Sequence, residues 1–477
     1  MRGSLIFTPF FLVTICLALF NGLKAQTPLA YGQYLKQVME FHPVIDQAGI
    51  GVEISDASLR QSQGVMDPYV AASMKEKDLK STEYYDRNRV KVALPTALGF
   101  ELFAAYDMNT GAFIDPETST PNSGLYETGV SLPVGTSLFY NERLLAIRQG
   151  KLMVEMSEAD QRIIVNDLLY RASLAYLNWS LSLGLIQTQT ASLDIAQDQF
   201  EFVKQSFLSG DSPAIDTTEA FLQVQNRSYQ LLTAENMEFT ARRMVETFLW
   251  DDAGNPLGLV EDAQPQQMLD FGAPILNSSD SFLIWQQTLV AQHPLLNIKG
   301  LKIESIGLER QLARSNLLPQ LDLKYSQLAV GSAIENIPGG DINDRIFGLE
   351  IKYPLLLRKE RAKLNLASLK QETERLDRDV KVLDLQNKLS ALVNDYNIAT
   401  EQLSIYIQMI GNYQALLEAE RNKFSIGESS VFLLNSRENK LFDAQVNQQQ
   451  IQSKQIATAL KVIQAANRES YYQLLIP

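Results

Sequence analysis

Gln320-Leu-Asp-Leu-Lys-Tyr-Ser-Gln-Leu-Ala-Val330 alternates with the two-residue period of a β-strand: Leu321, Leu323, Tyr325 and Gln327 share one face, Asp322, Lys324 and Ser326 the other. Asn316-Leu-Leu-Pro319 leads into it, and Pro319 ends the preceding helix because proline lacks an N–H and restrains its neighbour. A Gly, Pro and Asp-rich turn follows at Ile337-Pro-Gly-Gly-Asp-Ile342, and Ile346-Phe-Gly-Leu-Glu-Ile-Lys-Tyr353 alternates again up to Pro354. An apolar face outward and a polar face inward suits a strand standing between lipid and water, although a strand pair on a soluble core would alternate in the same way. Two strands alone are marginally stable, so these must find partners outside their hairpin.

The chain then enters a helix of unusual length. From Glu360 to Phe424 there is no proline, and the only glycine is Gly411. Apolar residues recur in four-three steps through Leu366, Leu369, Leu376, Val380 and Leu383. After a phase change they resume through Leu385, Leu389, Leu392, Tyr396, Ala399, Leu403, Tyr406, Ile410, Tyr413, Leu417 and Phe424. This is a coiled-coil seam with a stutter, and a seam requires partner helices. About 65 residues rising 1.5 Å each make a rod of roughly 100 Å. The rod closes on Phe424-x-x-Gly427-Glu428-Ser429 and returns from Val431 to about Leu475 through a Gln-rich stretch, Gln445 to Gln455.

All of this occurs twice. His42-Pro43 matches His293-Pro294, and at the same interval Gly49 meets Gly300, Glu53 meets Glu304 and Pro68 meets Pro319. Residues 31–63 read as a helix. Arg89–Leu94, Leu98–Phe103 and Tyr126–Leu132 read as strands, with a loop from Asn109 to Gly124 and an exit at Pro133. A second proline-free rod runs from Asn141 to Phe207, turns at Phe207-x-x-Gly210-Asp211-Ser212 and returns from Leu222 to Trp250. The expected organisation is therefore an internally duplicated, mixed α/β chain. Its first repeat is 26–250, with strands at about 67–135 and a helical hairpin at 141–250. A linker occupies 251–280. The second repeat is 281–477, with strands at 319–354 and a hairpin at 358–475. A duplicated unit of short strands and very long helices points to a chain whose job is its shape.

Leu5 to Leu23, with Arg2 before it and Lys24-Ala25-Gln26 after, reads as a secretory signal spanning residues 1–25 and cut after Ala25. The sole cysteine, Cys16, lies inside it, so the exported chain would have no disulfide and would depend on packing and oligomerisation. Loss of Arg2 and Lys24 would take the formal charge from -13 to about -15, which argues against a nucleic-acid partner. No phosphate loop, GxSxG or HExxH occurs, and the two histidines sit in equivalent repeat positions beside proline without a third ligand. The acidic pairs Asp251-Asp252, Glu372 with Glu374 and Asp377 with Asp379 read as solvated helix faces, and Trp179, Trp250 and Trp285 form no spaced platform. The reading is of a non-enzyme without metal or cofactor.

Taken together, the repeated His-Pro starts, Asn316-Leu-Leu-Pro319, the Tyr353-Pro354 exit, and the tip Phe424-Ser-Ile-Gly427 followed by Leu433-Leu-Asn435 resemble the TolC-like outer-membrane efflux protein family. The resemblance covers essentially the whole chain after residue 25, and Trp250-Asp-x-x-Gly254-Asn-Pro256 is similar to the inter-repeat insert of some members. It implies a homotrimer in the Gram-negative outer membrane. Each chain would give four strands to a twelve-stranded barrel and its helices to a coiled-coil tunnel through the periplasm. The duct would be a passive export conduit, opened by a periplasmic adaptor and an inner-membrane pump. A purely structural periplasmic coiled-coil protein and a stand-alone diffusion porin are the alternatives. The tips Phe207, Gly210, Asp211, Ser212 and Phe424, Ser425, Ile426, Gly427, Glu428, Ser429 would dock the adaptor. Pro68, Pro133, Pro319 and Pro354 would mark the strand–helix junctions. In the best-known member of the family two aspartates just past the tip glycine ring the closed aperture. Phe432 and Asn435 hold those positions here, so the entrance would be narrowed by a less charged and more apolar ring, with Glu428 and either Asp211 or Asp216 supplying the remaining negative potential.

Overall fold

The computed structural model describes residues 28–267, 290–330 and 344–467. The signal segment with Cys16, Trp285, the turn at 337–342 and the end of the last helix near Leu475 lie outside them. In order, the described elements are α1 Tyr31–Phe41, α2 Pro43–Gln63, β1 Tyr69–Leu79, β2 Thr82–Pro95, β3 Glu101–Thr110 and β4 Leu125–Val134. They continue with α3 Glu142–Leu208, α4 Ala214–Glu246, α5 Pro294–Ser315, β5 Gln320–Val330, β6 Arg345–Lys352, α6 Arg358–Ser425 and α7 Val431–Ala466. No described helix is long and apolar enough to cross a membrane. The chain divides into two compact units, with α3 and α6 passing from one to the other at Val165 and Asn387.

One unit holds the sheet. All six strands form a single antiparallel meander in the order β1 to β6. The family resemblance implies four strands and the alternation marks five stretches; what neither includes is β1 and the polar outer half of β2, which pair from Tyr69↔Ala93 to Leu79↔Thr82. Its tip turns on Lys80 and Ser81, both at positive φ. The weakly patterned Leu98–Phe103 is not one strand: the chain turns between β2 and β3, and β3 begins at Glu101. Pro68 and Pro319 directly precede β1 and β5, Pro133 lies within β4 opposite Asp322, and Pro354 follows β6.

Register gives this sheet one apolar and one charged face. Val70, Ala72 and Met74 of β1 align with Val92, Val90 and Asn88 of β2, and Val90, Val92 and Leu94 with Tyr106, Ala104 and Leu102 of β3. The row continues through Tyr126, Val130 and Leu132, then Leu323 and Tyr325, to Phe347, Leu349 and Ile351. Val70, Met74, Val92, Leu102, Phe347 and Ile351 on this face are exposed. The opposite face carries the charges and pairs them. Glu127, its side chain 5% exposed, meets Arg89 at 2.7 Å and Lys324 at 2.9 Å and accepts from Ser326 Oγ at 2.8 Å. Arg89 also meets Asp107 at 3.0 Å, and Lys91 meets Glu101 at 2.6 Å. Phe103 lies among them with Lys91 and Lys324 at 5.0 and 5.1 Å from its ring. Opposite it Gly129 leaves the space, since a Cβ there would come within 2.8 Å of Phe103 Cζ and 2.6 Å of the Tyr325 carbonyl. A sheet that exposes Val, Leu, Ile and Phe and tucks its ion pairs inward is inverted relative to a soluble one.

Helices in this unit pack by contacts between small and polar residues. Gly150 lets α3 approach α2 so closely that a Cβ would lie 2.9 Å from Leu59 Cδ1, and Ser55 and Ser157 hydroxyls are 2.5 Å apart. Lys299 and Lys302 of α5 reach Asp377 and Glu374 of α6, each at 2.5 Å.

The other unit has an aromatic core. Tyr31, Tyr34, Leu35 and Val38 of α1 pack on Leu168, Leu169, Ala172, Tyr176 and Trp179 of α3, with Val245 of α4 and Ile456, Leu460 and Ile463 of α7. Its polar tips are satisfied. Tyr31 Oη and Ser173 Oγ are 2.7 Å apart, and Trp179 Nε1 donates to Glu238 Oε1 at 3.0 Å. Tyr176 Oη accepts from the Gln266 N–H at 2.8 Å and donates to the Leu29 carbonyl. Gln266 thus packs against α3, its carbonyl also accepting from Ser180 Oγ at 2.8 Å.

His42 corrects one expectation and explains another. Residues 31–63 are two helices, because Pro43 has no N–H to continue α1 and His42 is extended (φ -74°, ψ 126°). Its Nδ1 accepts from the Val44 N–H at 3.2 Å, and His293 Nδ1 accepts from the Leu295 N–H at 3.1 Å. Each imidazole caps a helix whose first residue is proline, the same use in both places.

Candidate functional site at the hairpin tips

Both long helices end in the same hydrogen-bonded closure. In the first tip the Gly210 N–H donates to the Phe207 carbonyl at 3.0 Å and the Asp211 N–H to the Ser206 carbonyl at 2.9 Å. In the second, Gly427 donates to Phe424 at 3.1 Å and Glu428 to Lys423 at 2.9 Å. This is the Schellman motif, which satisfies the last helical carbonyls by turning one residue left-handed. Gly210 and Gly427 supply it at φ 85° and 78°, where a side chain would be strained.

The return helices begin differently. Ser430 caps α7, its hydroxyl accepting from the Leu433 N–H at 3.3 Å, whereas Pro213 precedes α4 with no side-chain cap. Helix α4 starts at Ala214, earlier than the expected Leu222. Glu420 is held by Ser429 Oγ at 2.6 Å and Arg437 Nε at 3.4 Å, and Arg421 Nη2 donates to Glu438 at 3.0 Å. The Ser429 hydroxyl, with Arg437 behind it, holds the Glu420 carboxyl below its usual range. Burial pushes Glu438 up against the pull of Arg421. An apolar cluster of Val203, Ala220 and Val431, joined by Phe200 and Phe424, packs the two tips together.

Farther from the tip, Arg227 of α4 is 2% exposed and is the residue sequence reasoning missed. Its Nη2 donates to Asn439 Oδ1 of α7 at 2.5 Å, and its Nη1 to Gln230 Oε1 at 2.9 Å. Gln223 Nε2 donates to the same Asn439 oxygen at 2.5 Å, and the guanidinium lies 5.0 Å from the Phe442 ring centroid. Burial lowers the Arg227 pKa, opposed by Asp443 and Glu438. Beside this network a groove of about 530 Å³ opens between α4 and α7, lined by Glu219, Leu222, Asn226, Phe432, Asn435 and Lys440.

Among the expected site residues, Phe207, Ile426 and Phe432 are exposed, Phe432 at 63%. Ser425 and Glu428 are exposed, Asp216 and Ser429 half-buried. Asn435 is 5% exposed on the groove floor, and its Oδ1 has no hydrogen-bond partner among the described residues. Phe432 and Asn435 thus meet in one groove, and the Asp216 carboxylate is outside that lining. The junction prolines belong to the sheet unit.

Comparison with known proteins agrees with this architecture. No curated protein sequence matches the chain, but residues 285–468 match the family described as outer membrane efflux protein. The solved structure of CusC superposes with a TM-score of 0.68 at 13% identity, over 91% of this chain and 91% of that one. VceC from Vibrio cholerae gives 0.65 at 12% identity, over 91% and 95% of the chains. The Campylobacter jejuni CmeC outer membrane channel gives 0.61 at 13% identity, over 91% and 85%. At such identities what is shared is the fold. That fold, with a lipid-suited sheet and rod-like helical hairpins, is the one those outer-membrane channels have. The family match covers the part of the chain from 285 to 468, and the likeness to these channels over 91% of the chain is one of fold.

Proposed function

We propose that this chain is the exit duct of a tripartite efflux or secretion system, a passive, non-catalytic conduit in the Gram-negative outer membrane that reaches into the periplasm as a homotrimer. The carrying observation is the inverted sheet, whose exposed apolar face suits lipid and whose paired charges suit a wet interior. A sheet with two open edges cannot stand in a bilayer, where nothing satisfies free backbone groups, so copies must close it. The helices make the same demand. On α6 the stripe Leu366, Leu369, Leu376, Val380 and Leu383 is 54–59% exposed, whereas Leu385, Leu389, Leu392, Tyr396 and Ala399 are buried. On α4, Ile215, Leu222 and Tyr229 are exposed at heptad spacing. Neighbouring copies would cover these seams.

The tips would then meet a periplasmic adaptor, with an inner-membrane pump supplying the energy. Phe432 and Asn435, with Asp216, would face the aperture and make its ring weakly charged. Mass measurement and planar-bilayer recording on the detergent-solubilised protein test the reading: a trimer with very low resting conductance is expected. A soluble monomeric rod, or a channel that stands open alone, would overturn it. Block by divalent or trivalent cations should be weak, because few carboxylates crowd the entrance. Strong block abolished by F432A or N435A would refute that assignment.

A further inference from the structure

We infer that the outer-membrane wall is closed by eighteen strands, six from each of three copies, with β1 of one copy pairing antiparallel to β6 of the next. This rests on the trimeric duct proposed above and departs from the twelve strands that the family resemblance implies. The added pair per chain is the β1–β2 hairpin.

Three observations place β1 in the wall. Its register with β2 runs from Tyr69↔Ala93 to Leu79↔Thr82, so it is bonded along its whole length. Its faces follow the sense of the sheet: Val70, Ala72 and Met74 lie on the apolar side, and Ala71, Ser73 and Lys75 on the side that carries Arg87, Arg89 and Lys91. Within the regular register the one charged residue of β1 on the apolar side is Glu76, near the hairpin tip and opposite Asp86, and the pairing shifts just beyond it between Lys77 and Asp78. Finally, β1 is exposed at every position and β6 at all but one, as two edges awaiting partners would be.

A second copy of this chain is the occupant that fits both edges. The meander has an even number of strands, so β1 and β6 run in opposite directions and copies arranged head to tail meet antiparallel. Such a ring needs no other protein, and it continues both faces: Phe347, Leu349 and Ile351 would extend the lipid side, Gly348, Glu350 and Lys352 the inner side. With strands about 4.8 Å apart and tilted about 40°, twelve strands enclose a backbone diameter of roughly 24 Å and eighteen roughly 36 Å. Barrels of that size leave an aqueous channel even after side chains point inward. The exit through the outer membrane would therefore be wide, and restriction would fall to the helical part of the duct.

Disulfide trapping in the full chain tests this, because its only cysteine, Cys16, can be replaced by serine. Ser73→Cys on β1 would be combined in turn with Ile346→Cys, Gly348→Cys and Glu350→Cys on β6, all on the inner side and spanning the possible registers. A parallel set would pair the β6 positions with Ala105→Cys on β3, the strand that becomes an edge if β1–β2 stands outside the wall. After oxidation in membranes, one β1–β6 combination should give a covalent species of three times the monomer mass on denaturing gels. Trapping through β3, or through neither strand in particles that remain trimeric, would overturn the eighteen-stranded wall and leave the trimeric duct standing. Particles of any other stoichiometry would remove the reading beneath it as well.

Discussion

The two hairpin tips are built on one closure and anchored in two ways. Each ends its long helix with a left-handed glycine and the same pair of backbone bonds. Beyond that they part. The second tip is bound across its hairpin by Ser429 and Arg437 on Glu420, by Arg421 on Glu438 and by the Ser430 cap. The side-chain bonds of the first are short-range, such as Lys204 to Glu201 and Thr217 Oγ1 to the Ala214 carbonyl. The backbone solution is shared and the side chains differ, so one tip has a clamp and its counterpart a plain turn. If the tips move on opening of the duct proposed above, the first should yield more readily.

The strongest way to break the comparison is to cut the link between the two hairpins. Asn439→Leu would remove the acceptor shared by Arg227 and Gln223 and strand a buried guanidinium, at a cost of roughly 2–3 kcal/mol. Chemical unfolding of the solubilised protein and hydrogen exchange along α4 and α7 would measure it. A change within a few tenths of a kcal/mol would mean that Arg227 finds other partners and that the hairpins are not joined there.

Next come the glycines, which test sameness. Gly210→Ala and Gly427→Ala each force a side chain into the left-handed region, costing about 1 kcal/mol. The exchange rates of the flanking amides should rise by similar factors in both tips, since neither glycine has a heavy atom within 4 Å of an added Cβ. Unequal responses would show that the clamp supports the closure itself. Ser430→Ala sharpens the contrast, because losing an N-cap costs about 1 kcal/mol and the matching Pro213 has no such bond to lose.

These differences also show what the sequence could say. The tips were legible because a helix reversal leaves few choices besides glycine. β5 was legible because Leu321, Leu323 and Tyr325 alternate strictly with Asp322 and Lys324. β1 escaped notice because Glu76 and Asp78 break its apolar row, and an edge strand near a hairpin tip has little burial to impress on its residues. The phase change near Leu383 read as a local relaxation of one supercoil. In the structure it divides a stripe exposed in the single chain from a stripe buried within it, a change of partner that periodicity alone cannot express. Arg227 and Asn439 were illegible for a related reason: a polar residue on a polar helix looks solvated until its neighbour across the hairpins is known.

Acid should separate the tips by the smallest margin and with a definite sign. Glu420 has a folded pKa below its ordinary 4.5, chiefly because Ser429 donates to it and secondly because of Arg437. Its contribution is therefore complete above the unfolded value and is lost as pH falls through the folded value. Glu438 runs the other way: burial raises its pKa above 4.5, so the fold favours its protonated form and that contribution fades as pH rises through the folded value. Acidification should thus release the Glu420 clamp while leaving Glu438 comfortable, although its bond from Arg421 weakens as the carboxyl loses charge. Hydrogen exchange, corrected for intrinsic rates, should show residues 429–437 loosening below about pH 4 more than residues 211–216. Glu420→Gln should loosen the second tip at neutral pH and remove most of this acid response. Equal loosening of both tips in the unaltered chain would mean that the carboxylate clamp does not set their difference.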